Sequence, residues 1–310
     1  MFSYIPTLPK NLKYLDCSYN FLTNLPKLSN VLEYLDCSIC KIIDLPKLPD
    51  TLQYLDCYRN NLTKLPELPN NLEKLHCAHN KLVNLPNLPK NLHQLKCSHN
   101  LINQIDKLPD NLQYFICHHN NLDQLPDLPE SLYKLCCYNN NLEKLPELPK
   151  NLEYLHCNNN QLFYLPSLPN KLISLIIFRN KLSILPELKN TSITFLECSI
   201  NNLIELPELP HTIIKIIAND NKLIKLPNLP YSLNILHCSK NQLTKLPELP
   251  NQISELDCSK NKIESMPNIP ESVSGLNCLS NVFRVKILKD NKICFRGKTY
   301  QNIRYINSRI

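Results

Sequence analysis

Residues 51–70 read TLQYLDCYRNNLTKLPELPN, and the same arrangement returns about every 20 residues on either side. Numbered from Asn11, the unit is x-L-x-x-L-x-C-x-x-N-x-L-x-x-L-P-x-L-P-x. Units begin at 11, 31, 51, 71, 91, 111, 131, 151 and 171 and, after one inserted residue near Asn190 and Thr191, resume at 192, 212, 232 and 252. A degenerate unit starts at 272, and residues 4–10 are the tail half of one that precedes the array. A unit of this size cannot close a core alone, so its leucines must bury against the next unit. The inserted residue reads as a loop adjustment. The organisation that follows is a partial amino-terminal repeat at 1–10, an array at 11–281, and a carboxy-terminal cap at 282–310.

Each position in the unit has a physical job. Positions 4 to 8 alternate, as in Tyr54-Leu55-Asp56-Cys57-Tyr58, which is the period of a strand. Stacked in register these strands make a parallel sheet with position 5 (Leu) and position 7 (Cys) inward. Asn at position 10 must satisfy its amide, with turn backbone groups of its own and the neighbouring unit as partners. The return, Leu-Pro-x-Leu-Pro, fixes φ twice and removes two donors, so it reads as extended or polyproline-like.

Composition narrows the function classes. The 310 residues hold 2 Gly, 25 Pro, 15 Cys and no Trp, with a net charge of +7. So few glycines leave little cheap access to φ > 0 and argue against phosphate-cradling or dinucleotide loops. The amino end lacks the charged start and apolar run of a secretory signal, and no stretch approaches the length of a membrane span. An odd number of cysteines, spread on a period, points to reduced thiols and a cytoplasmic setting, that of the host cell if the protein is viral or an effector.

These units are leucine-rich repeats. The run L-P-x-L-P-x-x-L-x-x-L…N-x-L resembles the short bacterial class of YopM-like and IpaH-like effectors. Giant-virus leucine-rich-repeat proteins are similar, with Cys at the third strand position in an Asn- and Lys-rich background. The resemblance covers residues 4 to about 283 and implies a solenoid with a parallel sheet on the concave face and an extended convex face. The IpaH-like group adds a large ubiquitin-ligase domain with a catalytic Cys. Only about 29 residues follow Asn281, so that activity is not carried over. The helical hairpin that opens YopM-like arrays has no counterpart at 1–10.

Twelve cysteines occupy position 7, where Ile177 and Ala218 replace them in two units. That substitution identifies the position as packing, since a buried Cys behaves as a small hydrophobe. Cys37 and Cys40 form C-x-x-C, but Cys40 takes the Asn position and no second pair accompanies it. Cys136 sits at position 6 with His156 in the same column, and is expected to be an exposed, oxidisable thiol. His79, His99 and His119 share position 9 in three successive units. Three readings stay open for this row: tolerated histidines on a solvated edge, a proton-sensitive face, or a zinc site. No cofactor is expected.

Function on such a scaffold lives on the outward strand positions. At the amino end these carry Tyr14, Tyr34 and Tyr54 beside Asp16, Asp36 and Asp56, a pairing suited to a Lys- or Arg-bearing partner. The middle carries the histidines with Lys74, Lys96 and Lys134. Farther on, Ile176, Phe178, Phe195, Ile200, Ile217 and Ile235 are expected to form an apolar binding patch. Residues 282–310 hold eight basic residues, Arg284, Lys286, Lys289, Lys292, Arg296, Lys298, Arg304 and Arg309, against Asp290. They read as a hairpin that caps the last unit. The reading is a non-enzymatic protein-binding scaffold that works through its concave face. Two alternatives are a recognition subunit of a ubiquitin-ligase assembly, and binding of nucleic acid or an acidic surface through the basic tail. Nucleic acid is not the expected partner, because the array itself is neutral at 26 basic and 26 acidic residues.

Overall fold

The computed structural model describes residues 1–282 together with the backbone of three short carboxy-terminal strands. It divides into two compact units, Met1–Asn160 and Gln161–Ile310. The first holds eight parallel strands: β1 (Tyr14–Asp16), β2 (Tyr34–Asp36), β3 (Tyr54–Asp56), β4 (Lys74–His76), β5 (Gln94–Lys96), β6 (Tyr114–Ile116), β7 (Lys134–Cys136) and β8 (Tyr154–His156). The second holds six: β9 (Ser174–Ile176), β10 (Phe195–Glu197), β11 (Lys215–Ile217), β12 (Ile235–His237), β13 (Glu255–Asp257) and β14 (Gly275–Asn277). Within each unit the strands pair strictly in register, so Tyr14 faces Tyr34 and Phe195 faces Lys215. The inserted residue leaves this register intact, with Ser174 opposite Phe195. It is absorbed in a turn where buried Thr191 hydrogen-bonds Leu188 O through its N–H and its hydroxyl, at 2.9 and 2.7 Å.

Alternation puts position 5 and position 7 into the core. Leu55 and Cys57 are fully buried, and so are Ile177 and Ala218 where they stand in for Cys. All fourteen described cysteines are free thiols, thirteen of them buried. The Leu-Pro returns form neither helix nor strand. Their second proline instead accepts the N–H that starts the next turn, as in Leu72 N to Pro69 O at 3.0 Å.

The asparagines join successive turns. Asn100 Nδ2 donates to Cys97 O and to Cys77 O, both at 3.0 Å, while its Oδ1 accepts Leu82 N–H at 2.9 Å. The same set recurs at Asn120, Asn140 and Asn160 in the first unit, and Asn241 and Asn261 repeat it in the second. A buried amide satisfied on both sides is a strong specifier of register. Cys40, in the Asn place, offers one weak contact from its Sγ to Cys17 O at 3.5 Å.

One feature runs against expectation. Position 9 is left-handed in fourteen turns, from Tyr19 to Ser280, with φ between 51° and 58° and no glycine among them. Even Ile39 and Ile200 adopt it, a conformation disfavoured for β-branched residues. The N–H of this residue reaches forward to the next turn, as in His99 N to His118 O at 2.9 Å. Within each unit, successive turns are therefore stapled at the point of highest backbone cost.

At the carboxy terminus, β15 (Lys286–Leu288), β16 (Lys292–Phe295) and β17 (Lys298–Tyr300) pair antiparallel. A two-stranded hairpin was the expectation, and a third strand joins it. Its capping role and the placement of Arg284, Lys289, Asp290, Arg296, Arg304 and Arg309 lie outside the described residues.

Candidate functional site

In-register stacking turns each outward position into a row. In the first unit Tyr14, Tyr34 and Tyr54 stack face to face at 4.2 and 4.4 Å, with interplanar angles of 11° and 2°. Both faces of Tyr34 are thereby covered, so cations meet this row at its hydroxyls and not over its central ring. Asp16 and Asp36 each turn one oxygen inward to a serine N–H, Ser18 at 3.0 Å and Ser38 at 2.9 Å. The second oxygen of Asp56 meets the Tyr54 hydroxyl at 3.3 Å and His76 Nδ1 at 3.2 Å. Burial pushes the Asp36 carboxyl above its usual range; the Ser38 hydrogen bonds oppose this, and Asp56 and Asp16 add to it. An incoming ammonium or guanidinium would relieve that burden.

Cys136 does not behave as the sequence suggests. It is buried, and burial lifts its thiol to about 11 although Lys134 pulls the other way. Its Sγ lies 3.7 Å from His156 Nδ1, and burial together with Lys134 lowers the His156 imidazole. Neutral thiol beside neutral imidazole is a disarmed pair, because the thiolate is the nucleophile. The outward position failed as a guide because Cys136 is small and its row neighbour His156 is large.

The histidine row is also rearranged. His79, His99 and His119 stack at 3.9 and 4.1 Å with nearly parallel rings. Parallel rings send their nitrogens side by side, so this trio does not converge. The group whose ligand atoms lie within 4.8 Å of one another is instead His99, His118 and His119. His118 stands edge-on to both of the others, at interplanar angles of 87° and 73°, and stacks on Tyr138 at 4.1 Å. Burial, then the neighbouring histidines, lower its imidazole to about 4. The doublet His118-His119 after His99 was the available sequence signal.

In the second unit the outward rows mix types. Ile176, Glu197, Ile217 and His237 share one row; Ser174, Phe195, Lys215 and Ile235 share the other. Ile176, Phe178, Phe195, Ile217 and Ile235 are half-buried. The expected patch is thus interrupted by Glu197 and Lys215, and the Lys215 ammonium lies 5.4 Å from the Phe195 ring centre. Ile200 is exposed but lies outside the strand, at the left-handed position. A second apolar set, on two adjacent positions of the unit, escaped the sequence reading. Phe163, Tyr164, Ile184, Ile204 and Ile224 follow the Asn turns and are 45–66% exposed, more than the strand-face residues. The unit pattern leaves these positions as x, so no periodic signal marks them.

Comparison with known proteins places this geometry. No family model and no curated protein matches the chain. Among solved structures, YopM from Yersinia enterocolitica WA-314 is 37% identical, with 90% of this chain and 66% of that one aligned at a TM-score of 0.78. YopM from Yersinia pestis, described as a leucine-rich effector protein, is 34% identical over 90% of this chain and 86% of its own, at a TM-score of 0.76. The functional domain of InlJ from Listeria monocytogenes, described as including a cysteine ladder, shares the fold at 22% identity, 88% and 64% coverage and a TM-score of 0.63.

Proposed function

The chain belongs to the YopM-like family of leucine-rich-repeat proteins, and from that premise we propose that it is a non-enzymatic scaffold that binds a protein partner on its exposed strand face. The fold is that of protein-interaction scaffolds in general. The observation that carries the finer reading is the apolar set on β9–β12. Ile176, Phe195, Ile217 and Ile235 project from strands whose inner positions, Leu175, Leu196, Ile216 and Leu236, already fill the core. They are surplus to folding and fit desolvation by a partner. The disarmed Cys136–His156 pair supports the absence of cysteine chemistry there. Among the described residues no helix is long and apolar enough to cross a membrane, and the thiol column suits a reducing, cytoplasmic setting.

The test separates binding from stability. Phe178→Ser and Phe195→Ser should keep the melting curve close to wild type and lose a captured partner, since truncating a central aromatic anchor commonly costs about 2 kcal/mol or more. Unfolding in both variants would show that these rings serve the core. Retained binding in folded variants would move the interface, and loss on Asp16→Asn with Asp36→Asn would then place it on the tyrosine–aspartate rows.

A further inference from the structure

The geometry points to a zinc-binding site built by His99, His118 and His119, which uses one ring nitrogen from each. Three observations converge on it. First, the three ligand atoms lie within 4.8 Å of one another, and nitrogens that share one zinc ion stand about 3.3 Å apart. Small side-chain rotations close that gap. Second, His118 is perpendicular to the stacked pair, which lets nitrogens converge that parallel rings would send side by side. Third, His118 Nδ1 is buried and has no hydrogen-bond partner. An unsatisfied buried polar atom demands an explanation, and a lone pair kept for a cation is one.

The surroundings favour a borderline transition ion over a hard one. No carboxylate belongs to the trio, and calcium and magnesium need oxygen ligands. Imidazole suits zinc, copper and nickel. The Tyr138 ring fixes His118 by stacking, and zinc at His119 Nε2 would take the lone pair to which Asn139 Nδ2 donates at 2.8 Å. Exposed His119 leaves the ion open to solvent or to a side chain of a bound partner.

The experiment adds zinc ion alone to chelator-treated full-length protein and follows binding by calorimetry. One equivalent should bind in the micromolar range or tighter. His118→Phe, which keeps a ring against Tyr138, and His119→Gln, at an exposed position, should each weaken it at least about tenfold. His79→Gln should leave it unchanged. Cobalt-loaded protein should show no near-ultraviolet sulfur-to-metal band, which separates this site from the thiols. The proposal is overturned by binding no tighter than millimolar, by equal weakening in His79→Gln, or by unchanged affinity in His118→Phe and His119→Gln. Because His119→Gln alters only an exposed side chain, a folding defect in His118→Phe does not remove the test.

Discussion

The strand faces of β1–β3 and β9–β12 use the same lattice in opposite ways. Over β1–β3 like stacks on like, with tyrosine on tyrosine at 4.2 and 4.4 Å and aspartate paired with aspartate. In Gln161–Ile310 unlike residues alternate, with Phe195, Lys215 and Ile235 in one row and Ile176, Glu197 and Ile217 in the other. A parallel in-register sheet brings each side chain to within about 4.8 Å of its counterparts. Identical rings therefore cover one another and satisfy the row internally. Mixed rows leave apolar surface without a matching neighbour. The face of β1–β3 spends its aromatic surface on itself, and that of β9–β12 keeps some for an outside contact.

The largest effect should be the same in both regions, because the interior does not share the contrast. Asn120→Ala and Asn241→Ala each remove the contacts of an amide that donates to three carbonyls and accepts one N–H. Each should cost about 2–3 kcal/mol in denaturant unfolding. Clearly unequal costs would mean that the two regions differ in their cores and not only in their faces.

Next comes the contrast itself. Tyr34→Ser breaks two ring stacks and should cost about 1–2 kcal/mol. Phe195→Ser loses one cation–π contact at a half-exposed ring and should cost about 1 kcal/mol or less. If chemical denaturation ranks them the other way, the rows of the second unit are the self-satisfied ones.

The smallest effect is electrostatic. Burial raises both Asp36 and Glu197 in the folded protein. A raised carboxyl binds its proton more tightly folded than unfolded. Stability from such a group therefore falls as pH rises from below the unfolded value through the folded one. Asp36→Asn and Glu197→Gln should each match wild type in acid and exceed it at pH 7 by no more than about 0.5 kcal/mol. Urea midpoints measured across that range check the sign, and a loss at pH 7 in either variant refutes it.

The interior was legible because its positions repeat. Leu55, Cys57 and Asn60 each announce their place by recurring on the period, and burial confirms them. The face was less so. Cys136 looked exposed because alternation states a direction and not what stands beside it. His118 was passed over for His79 because a straight row favours equal positions. The left-handed backbone at His99 and His119 is what brings positions 8 and 9 of adjacent turns together. That backbone was itself invisible, for the usual signal is glycine and none stands there.

Fourteen left-handed residues of eight chemical kinds, from Tyr19 and Arg59 to Asp220 and Ser280, have a consequence for how such a surface changes over generations. Every side chain other than glycine meets a steric barrier there, lower for asparagine or aspartate and higher for β-branched residues. Isoleucine at 39 and 200 shows that the lattice holds even the type least suited to it. The fold thus exerts little choice over the occupant. A column that structure does not edit is free to drift, and what it carries at any turn is set by what it meets in solution.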